Sequence, residues 1–316
     1  MRDADVRNCT VTPLSPNPFP AAEGRVRTLP AVTTPRRLWK VIEPVHAVLY
    51  FAPELRNGAT ESGLAAHGST YFACRAAPLG QATAGLVTAV FYGFSPSRVA
   101  RAVPGMWELV SPARALELRA SVVDTALRRL LGAFIGDPMM SRAAELASRA
   151  ADGADLGGRP LAAANAAVNA DGDPHLLLWQ SLTTLREHRG DGHIAALMNA
   201  EVDPCAAHVL RASAGAADAE FLRTSRGWSE EEWADATDRM RTRGWVSGDG
   251  LLTEAGRQVR DAYESDTDRL AARPFQVLGA DRTDELYGLL LRLAITVVEG
   301  GGVPVERGLG SPWPPS

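Results

Sequence analysis

Three side chains in one short segment have the types and the spacing that acid and base chemistry requires. Glu43, His46 and Tyr50 lie at i, i+3 and i+7, which places them on one face of a helix. A carboxylate one turn from an imidazole can fix the tautomer of the ring and raise its basicity, and a tyrosine hydroxyl can donate a proton or polarise a carbonyl. A helix cap followed by a hydrogen-bonded core histidine explains the same pattern, so both interpretations stay open.

Two further ionic side chains follow in the sequence. Glu54 comes directly after a proline, and Arg75 stands in the phrase CRAAPLG. A guanidinium can hold a carboxylate or an enolate with two hydrogen bonds. Arg75 is therefore a candidate oxyanion holder, or else the structural partner of Glu54 or Glu61.

A second cluster of ionic residues is the segment REHRGDGH at positions 186–193, with two histidines, two carboxylates and two arginines. If its glycines release the backbone, His188, Asp191 and His193 can converge on one ligand. The alternative is a corner between two helices, in which Gly190 ends the first helix and Asp191 caps the second. No metal is predicted, because the chain has no HExxH or His-x-His spacing and a third ligand would have to come from elsewhere.

Aromatic residues concentrate between positions 39 and 107, which hold nine of the chain's twenty. Aromatic side chains beside a few titratable groups are typical of small-molecule pockets, although core packing explains them equally well. The predicted substrate contacts are Trp39, Phe51, Glu54, Tyr71, Phe91, Tyr92 and Trp107.

Composition and motifs exclude several classes of protein. The chain has 46% hydrophobic and 22% charged residues and a net charge of −4, which is typical of a globular protein. Its three cysteines form no CxxC pair, and no strand-to-helix GxGxxG, Walker or GxSxG motif occurs, so no cofactor is predicted. Without a long apolar run or a signal peptide, we expect a soluble cytoplasmic protein with no membrane partner.

The periodicity of the apolar residues predicts a mainly α-helical fold. Helices are expected from Thr34-Pro35, from Ser111-Pro112 to Gly132, over Ser141–Ala151, from Pro174 to Gly190 and over Asp281–Val298. The stretch Ala84–Phe94 is expected to be a buried helix or a strand, with helix favoured. Pro44 is expected to kink or restart the first of them. The predicted organisation is a disordered extension (1–34), an aromatic-rich helical pocket domain (35–152), a loop-rich linker (153–173), a helical and winged-helix domain (174–298) and a disordered tail (299–316).

The segment 217–273 predicts a winged helix. A short helix at Asp218–Ser225 precedes a capping box at Ser229, which begins a second helix. The stretch Gly244–Thr253 then predicts a β-hairpin, because Gly-Asp-Gly suits a tight turn, and a long helix follows from Glu254. The phrase RGWVSGDGLLTEAGR resembles the wing of MarR-type regulators.

The charge of this winged helix disfavours DNA binding without closing the question. Residues 217–273 contain nine arginines and thirteen carboxylates, and nine minus thirteen gives −4. The expected recognition helix opens with Glu230, Glu231 and Glu232, and phosphates repel such a surface. A scaffold or a dimer contact, in a homodimer, is the favoured role.

Several phrases together resemble a family of actinobacterial proteins labelled as helix-turn-helix or winged-helix proteins. They are RRLWKVIEPVHAVLYFAPE, RAAPLG, VTAVFYGFSPSRVARAVPGMWE, LREHRGDGHIAAL and RGWSEEEW…RGWVSGDGLLTEAGR, and the resemblance spans residues 35–279. It implies no established reaction. It does imply one shared site, without roles, formed by Glu43, His46, Tyr50, Glu54, Arg75, His188, Asp191 and His193.

Two functional hypotheses follow. The first is a cofactor-independent acid/base enzyme of bacterial specialised metabolism, which dehydrates or cyclises a hydrophobic, polyketide-like small molecule. In it His46 or His193 is the base, Tyr50 or Glu43 the acid, and Arg75 the oxyanion holder. The alternative is a MarR-like regulator, in which the same pocket senses a metabolite and a dimer of wings reads a palindrome.

Overall fold

The computed structural model describes residues 33–64, 69–170 and 172–304. The predicted extension (1–34), apart from its last two residues, lies outside these ranges. So does the predicted tail from residue 305 onward.

The described residues form helices joined by short connections. Two short 3₁₀ segments, Ala77–Leu79 and Gly132–Gly136, follow the third and seventh helices. The α-helices are α1 (Pro35–Phe51), α2 (Pro53–Glu61), α3 (Thr70–Ala76), α4 (Ala84–Val90), α5 (Pro96–Ala102), α6 (Met106–Leu109), α7 (Pro112–Leu131), α8 (Pro138–Asp152), α9 (Pro160–Ala166), α10 (Pro174–Asn199), α11 (Pro204–Ser213), α12 (Ala219–Arg226), α13 (Glu230–Thr242), α14 (Glu254–Leu270), α15 (Arg273–Leu278) and α16 (Ala280–Glu299).

One local device begins many of these helices: a capping side chain followed by proline. The side chains of Thr34, Ser95, Ser111, Asp137 and Asp203 each accept a hydrogen bond from a backbone N–H of the first turn, and proline follows each of them. The cap satisfies a free N–H, and proline fits the first turn because its nitrogen needs no partner there. The helix starts predicted at Thr34 and Ser111 are confirmed.

Helix α1 is one helix, although a kink or restart was expected at Pro44. It runs from Pro35 to Phe51 with Pro44 inside it and buried. Continuity matters for the site, because it keeps Glu43, His46 and Tyr50 on a single element.

Helix α10 corrects the prediction for the REHRGDGH segment. No corner forms at Gly190 and Asp191, because α10 continues unbroken to Asn199. The second glycine, Gly192, serves packing: a Cβ added there would lie 2.8 Å from Nη1 of Arg159 and 3.2 Å from Cβ of Leu270 on α14. Gly192 therefore allows the close approach of neighbouring groups, and neither glycine of the segment ends the helix.

The predicted linker 153–173 is also more ordered than expected. It contains α9, which packs on α10. Arg159, the residue before α9, is buried and donates from Nη1 to the backbone oxygen of His188 and from Nη2 to that of Leu270. Arg159, Leu161, Ala162 and Asn165 are buried, so these four residues of the segment contribute to the interior.

The structure does not support the predicted β-hairpin wing. Within the described residues, Val246 and Leu252 form a single antiparallel bridge in place of two strands. The tight turn itself is present, since the N–H of Ser247 donates to the oxygen of Leu251 and Gly250 has a φ of +84°. On the other side of the bridge the N–H of Thr253 donates to the backbone oxygen of Trp245, and the N–H of Leu252, which faces away from Val246, donates to that of Ser213 at the end of α11.

Three apolar clusters make up the core of the described residues. The first joins α1, α7, α8, α10, α15 and α16, and the second fills the region from α2 to α7. The third joins the end of α10 to α11, α13 and α14 and includes Leu197, Leu210 and Met240. Because α10 contributes to the first and the third, it connects the N-terminal core to the segment 217–273, the predicted helix-turn-helix segment.

Candidate functional site

A chain of alternating charges lies where α1, α3 and α10 meet. Arg75 donates from Nε to Oε1 of Glu187 at 2.9 Å and from Nη2 to Oε2 at 2.9 Å. Arg186 donates from Nη1 to Oε2 of Glu187 at 3.0 Å and from Nε to Oε2 of Glu43 at 3.2 Å. Trp39 closes the chain, because its Nε1 donates to Oε2 of Glu43 at 3.2 Å.

Solvent reaches part of this ionic cluster. The side chain of Glu187 is 1% exposed and that of Arg75 11%, whereas Glu43 keeps 13% and Arg186 23% of its surface. The neighbouring Arg pair overcomes the cost of burying Glu187 and holds the pKa of its carboxyl well below its usual range. Arg186 likewise keeps Glu43 ionised by lowering its pKa against the effect of burial. The cluster is therefore charged at neutral pH.

His46 lies beside this cluster with one ring nitrogen bound and the other free. Its Nδ1 lies 3.1 Å from Oγ1 of Thr183, and that hydroxyl donates to the backbone oxygen of Trp179 at 2.8 Å. Nε2 is buried without a hydrogen-bond partner among the described residues. Burial is the main cause that lowers the pKa of His46 to about 4, so the ring is neutral at pH 7. Thr183, and not Glu43 as expected, contacts the imidazole.

Aromatic rings surround the ionic groups. The ring centroids of His46 and Tyr50 are 5.5 Å apart, and those of Tyr50 and Tyr71 are 4.9 Å apart. The hydroxyl of Tyr71 accepts a hydrogen bond from Nη1 of Arg75 at 3.1 Å. The guanidinium of Arg75 lies 4.3 Å from the centroid of Phe91. Such faces stabilise the cation as well as excluding water.

A third arginine adds positive charge that no carboxylate of the cluster balances. Arg226, at the end of α12, has its guanidinium 4.6 Å from the centroid of Phe94. Its Nε is buried without a hydrogen-bond partner among the described residues. Burial is the largest cause that lowers its pKa, and Tyr71, Arg75 and Arg186 all act on it. Three arginines therefore face two carboxylates, which leaves one positive charge beside a neutral histidine.

The structure brings several of the predicted site residues together. Those that meet at the ionic cluster are Glu43, His46, Tyr50, Arg75, Trp39, Tyr71 and Phe91.

Other predicted contacts lie elsewhere. Phe51 is 46% exposed on the surface, and Glu54 forms a two-pronged ion pair with Arg129. The hydroxyl of Tyr92 donates to the backbone oxygen of Val202, and Nε1 of Trp107 donates to that of Ala82. Neither the expected Glu54 nor Glu61 is the partner of Arg75.

The three polar residues of the GDGH segment do not converge. His188 contacts Asp155, His193 contacts Thr267, and Asp191 accepts a hydrogen bond from the N–H of Ala162 at 2.9 Å. On a continuous helix, positions i, i+3 and i+5 do not all share one face. Each side chain instead fastens α10 to a different neighbour, and the predicted shared ligand site at this segment is wrong.

Four residues of the site were not assigned a role from the sequence: Thr183, Arg186, Glu187 and Arg226. Trp179, Thr183 and Glu187 recur every four residues on α10, so they share one face of it. This four-residue spacing could have predicted from the sequence that the three side chains face the same site. The contribution of Arg226 depends on the tertiary fold and left no local signal.

One further group of ligand-type atoms lies apart from this site. Asp124, Asp173 and His175 place their ligand atoms within 4.8 Å of one another. Nε2 of His175 is 2.7 Å from Oδ1 of Asp124, and Arg128 forms ion pairs with both carboxylates. Arg128 balances one of the two carboxylate charges of this group.

Helix α13 presents an acidic surface whose arginines are paired. Arg239 lies 3.0 Å from Asp203, Arg241 lies 3.1 Å from Asp238, and Arg243 lies 3.5 Å from Glu201. Glu230, Glu231 and Glu232 are exposed at its N-terminus. The surface therefore offers little free positive charge to a phosphate backbone.

The length of the helices and the comparison with known proteins indicate what kind of protein this is. No helix in the described ranges is long and apolar enough to cross a membrane. No curated protein and no solved structure matches the chain. Residues 35–304, however, match the model of a helix-turn-helix family over most of the chain. The protein therefore belongs to this helix-turn-helix family.

Proposed function

We propose that this protein binds an anionic small molecule at the cluster of Arg75, Arg186 and Arg226, and that it is a ligand-binding helix-turn-helix protein. The observation that carries the proposal is the unbalanced positive charge of three arginines beside two carboxylates, together with two buried polar atoms that have no partner. Buried polar groups are normally satisfied, and an unsatisfied pair points to a missing ligand or water.

The pKa values favour binding over acid and base catalysis. General acid–base groups work best with a pKa near the working pH. Burial instead lowers the pKa of His46 to about 4 and raises the pKa of the Tyr50 hydroxyl far above its usual range. Both groups are therefore neutral and well suited to hold a ligand by hydrogen bonds and ring contacts.

Cofactor-independent acid/base chemistry on a hydrophobic, polyketide-like substrate is the second candidate function. The unpartnered Nε2 of His46 favours it, because a free lone pair beside Tyr50 is the arrangement a base requires. His193 is a weaker candidate, since its Nδ1 already contacts Thr267 and burial lowers its pKa to about 4. Turnover of a metabolite by the wild type, lost in His46→Gln, would favour this candidate.

Helix α10 offers a route from the site to the helix-turn-helix segment. Beyond Arg186 and Glu187, the same helix contacts α14 through Arg189, whose Nη1 lies 2.8 Å from Oδ1 of Asp268. One turn further, His193 contacts Thr267. A ligand that shifts α10 would therefore alter its packing on α14. A sensor of the MarR type, as a cytoplasmic homodimer, remains a prediction, and the acidic α13 argues against DNA contact by that helix.

Isothermal titration tests anion binding directly. We would titrate the full chain with 3-phenylpropanoate and with the uncharged 3-phenylpropanamide. We expect saturable binding of the carboxylate alone, weakened about tenfold or more by Arg226→Met. A matched control is Arg114→Met, because Arg114 is 74% exposed and pairs only locally with Glu117; its affinity should be unchanged. Absence of saturable binding up to about 10 mM, or equal affinity in Arg226→Met, would contradict the proposal.

A further inference from the structure

We infer that His46 selects the ligand of this site by accepting a hydrogen bond at Nε2, so that the ligand is a carboxylate that also carries a hydroxyl group. This inference rests on the proposed anion site and names the chemical class that the site takes. It follows from the position of one proton, which the surrounding contacts determine.

The proton of His46 is located by its contact with Thr183. A threonine hydroxyl has one hydrogen to donate, and the hydroxyl of Thr183 gives it to the backbone oxygen of Trp179, which can only accept. With the Thr183 hydrogen assigned to that oxygen, the contact of 3.1 Å between Nδ1 and Oγ1 uses a hydrogen on Nδ1. A neutral ring with its proton on Nδ1 carries a lone pair on Nε2.

Neighbouring rings hold the imidazole in this orientation. Trp179 stacks on it with a centroid distance of 5.8 Å and an interplanar angle of 12°. Tyr50 meets it edge to face, and Nε1 of Trp179 donates to the backbone oxygen of His46 at 3.1 Å. A ring flip would break the hydrogen bond to Thr183, so Nε2 stays directed away from the hydroxyl of that residue.

The other groups of the site complement this acceptor. Arg75, Arg186 and Arg226 supply donors for an anion, whereas both carboxylate oxygens of Glu187 already accept from arginines. Nε2 of His46 is therefore a neutral acceptor without a hydrogen-bond partner among the described residues. A carboxylate without a donor group would leave this buried lone pair unsatisfied, so it should still bind to the arginines but more weakly than its hydroxylated analogue.

Matched ligands separate the hydroxyl from the rest of the molecule. We would titrate both enantiomers of 2-hydroxy-3-phenylpropanoate and also 3-(4-hydroxyphenyl)propanoate, each against its methyl ether. For at least one position the hydroxy compound should bind about tenfold tighter than the ether. His46→Gln, which can still accept through its amide oxygen, should keep part of this preference.

Thr183 supplies the variant that changes only the proton position. Thr183→Val removes the hydroxyl that receives the Nδ1 proton, so the hydroxyl preference should fall, and Thr183→Ser should restore it. The matched control is Thr184→Val, since Thr184 is equally buried on α10 and donates to the backbone oxygen of Gln180. Long-range proton–nitrogen spectra of histidine-labelled protein should show the hydrogen on Nδ1 of His46 in the wild type.

The outcomes distinguish this inference from the proposed function. Equal binding of the hydroxy compounds and their ethers would overturn the role of His46 while leaving anion binding intact. A hydrogen on Nε2 in the spectrum would overturn it without any ligand. Failure of every carboxylate to bind would overturn the anion site and this inference together.

Discussion

Arg75 on α3 and Glu187 on α10 form a two-pronged ion pair across 112 residues of sequence, with both N–O distances at 2.9 Å. Glu187 also holds Arg186, so one buried carboxylate fixes two of the three arginines of the site. The pair therefore positions the cationic groups and joins the aromatic region to α10 at the same time.

Loss of Glu187 should destabilise the fold strongly. Glu187→Gln leaves Arg75 and Arg186 without their shared charge partner, and removal of one partner from a buried pair costs about 3–5 kcal/mol of unfolding free energy. Urea titration followed by circular dichroism measures it. The double variant Arg75→Met with Glu187→Met should lose less than the single change, because Arg75 no longer leaves a buried charge without its partner and Arg186 keeps its ion pair with Glu43.

An exposed pair provides the control. Glu54 and Arg129 have the same two-pronged geometry, but Arg129 is 43% exposed. Water screens such pairs, and their contribution is about 0–1 kcal/mol. Glu54→Gln should change the unfolding free energy by no more than that. Equal losses in Glu54→Gln and Glu187→Gln would contradict the importance of burial.

Mild acid should destabilise the protein. Burial lowers the pKa of His46 and His193 to about 4 and that of His208 to about 3, whereas unfolded histidine titrates near 6.5. As the pH falls below about 6.5, the unfolded chain takes up protons that the folded chain refuses. Each histidine then removes about 1.4 kcal/mol of unfolding free energy per pH unit until its folded pKa is reached. Thermal melts between pH 7 and pH 4 would record the loss.

Asp191 opposes this loss of stability in acid, and the variant His208→Gln isolates the contribution of one histidine. Burial raises the pKa of Asp191 to about 6, so the folded state gains a proton there first and offsets one histidine. His208→Gln can still donate to the backbone oxygen of Gly93, which Nε2 of His208 contacts at 2.9 Å. His208→Gln should therefore reduce the dependence of the unfolding free energy on pH by the contribution of one histidine. Stability that is unchanged from pH 7 to pH 5 would refute the burial of neutral histidines.

Helix starts were predictable because their determinants are local. Thr34 and Ser111 each cap a helix with a following proline, and neither depends on distant residues. The face of α1 was predictable for the same reason, since the spacing of Glu43, His46 and Tyr50 is set by the helix itself.

Contacts between distant segments were not predictable in this way. The glycines of REHRGDGH have the local signature of a turn, but Gly192 accommodates Arg159 and Leu270, which only the tertiary fold brings there. Arg75 forms its ion pair with Glu187, which is distant in the sequence, and not with the nearby Glu54 or Glu61. The predicted β-hairpin was too long, because Gly-Asp-Gly determines only the turn, and the strand pairing observed there is the single bridge between Val246 and Leu252.

DNA binding through α13 should be absent in the wild type at about 150 mM salt. Glu231 and Asp235 are exposed on this helix, and their charges repel phosphates. Glu231→Lys with Asp235→Lys should create weak, salt-sensitive binding to a labelled duplex at about 50 mM salt, measured by fluorescence anisotropy. Tight wild-type binding at the higher salt that Arg239→Glu abolishes would show that α13 contacts DNA after all.

The close packing of α10 on α14 should depend on Gly192. A methyl group there would meet Nη1 of Arg159 at 2.8 Å and Cβ of Leu270 at 3.2 Å, and the Leu270 contact offers little room to move. Overpacking of this kind costs about 1–3 kcal/mol, which exceeds the gain of up to about 1 kcal/mol from replacing glycine in a helix. Gly192→Ala should therefore lower the unfolding free energy in urea titrations.

The matched control is a glycine inside another helix with open space around it. Gly288 lies within α16, and a Cβ added there meets no atom within 4 Å. Gly288→Ala should raise the unfolding free energy by up to about 1 kcal/mol, because only the helix propensity changes. If Gly192→Ala were also stabilising, α14 would have to lie farther from α10, and the packing through which the proposed route from the anion site runs would be looser than described.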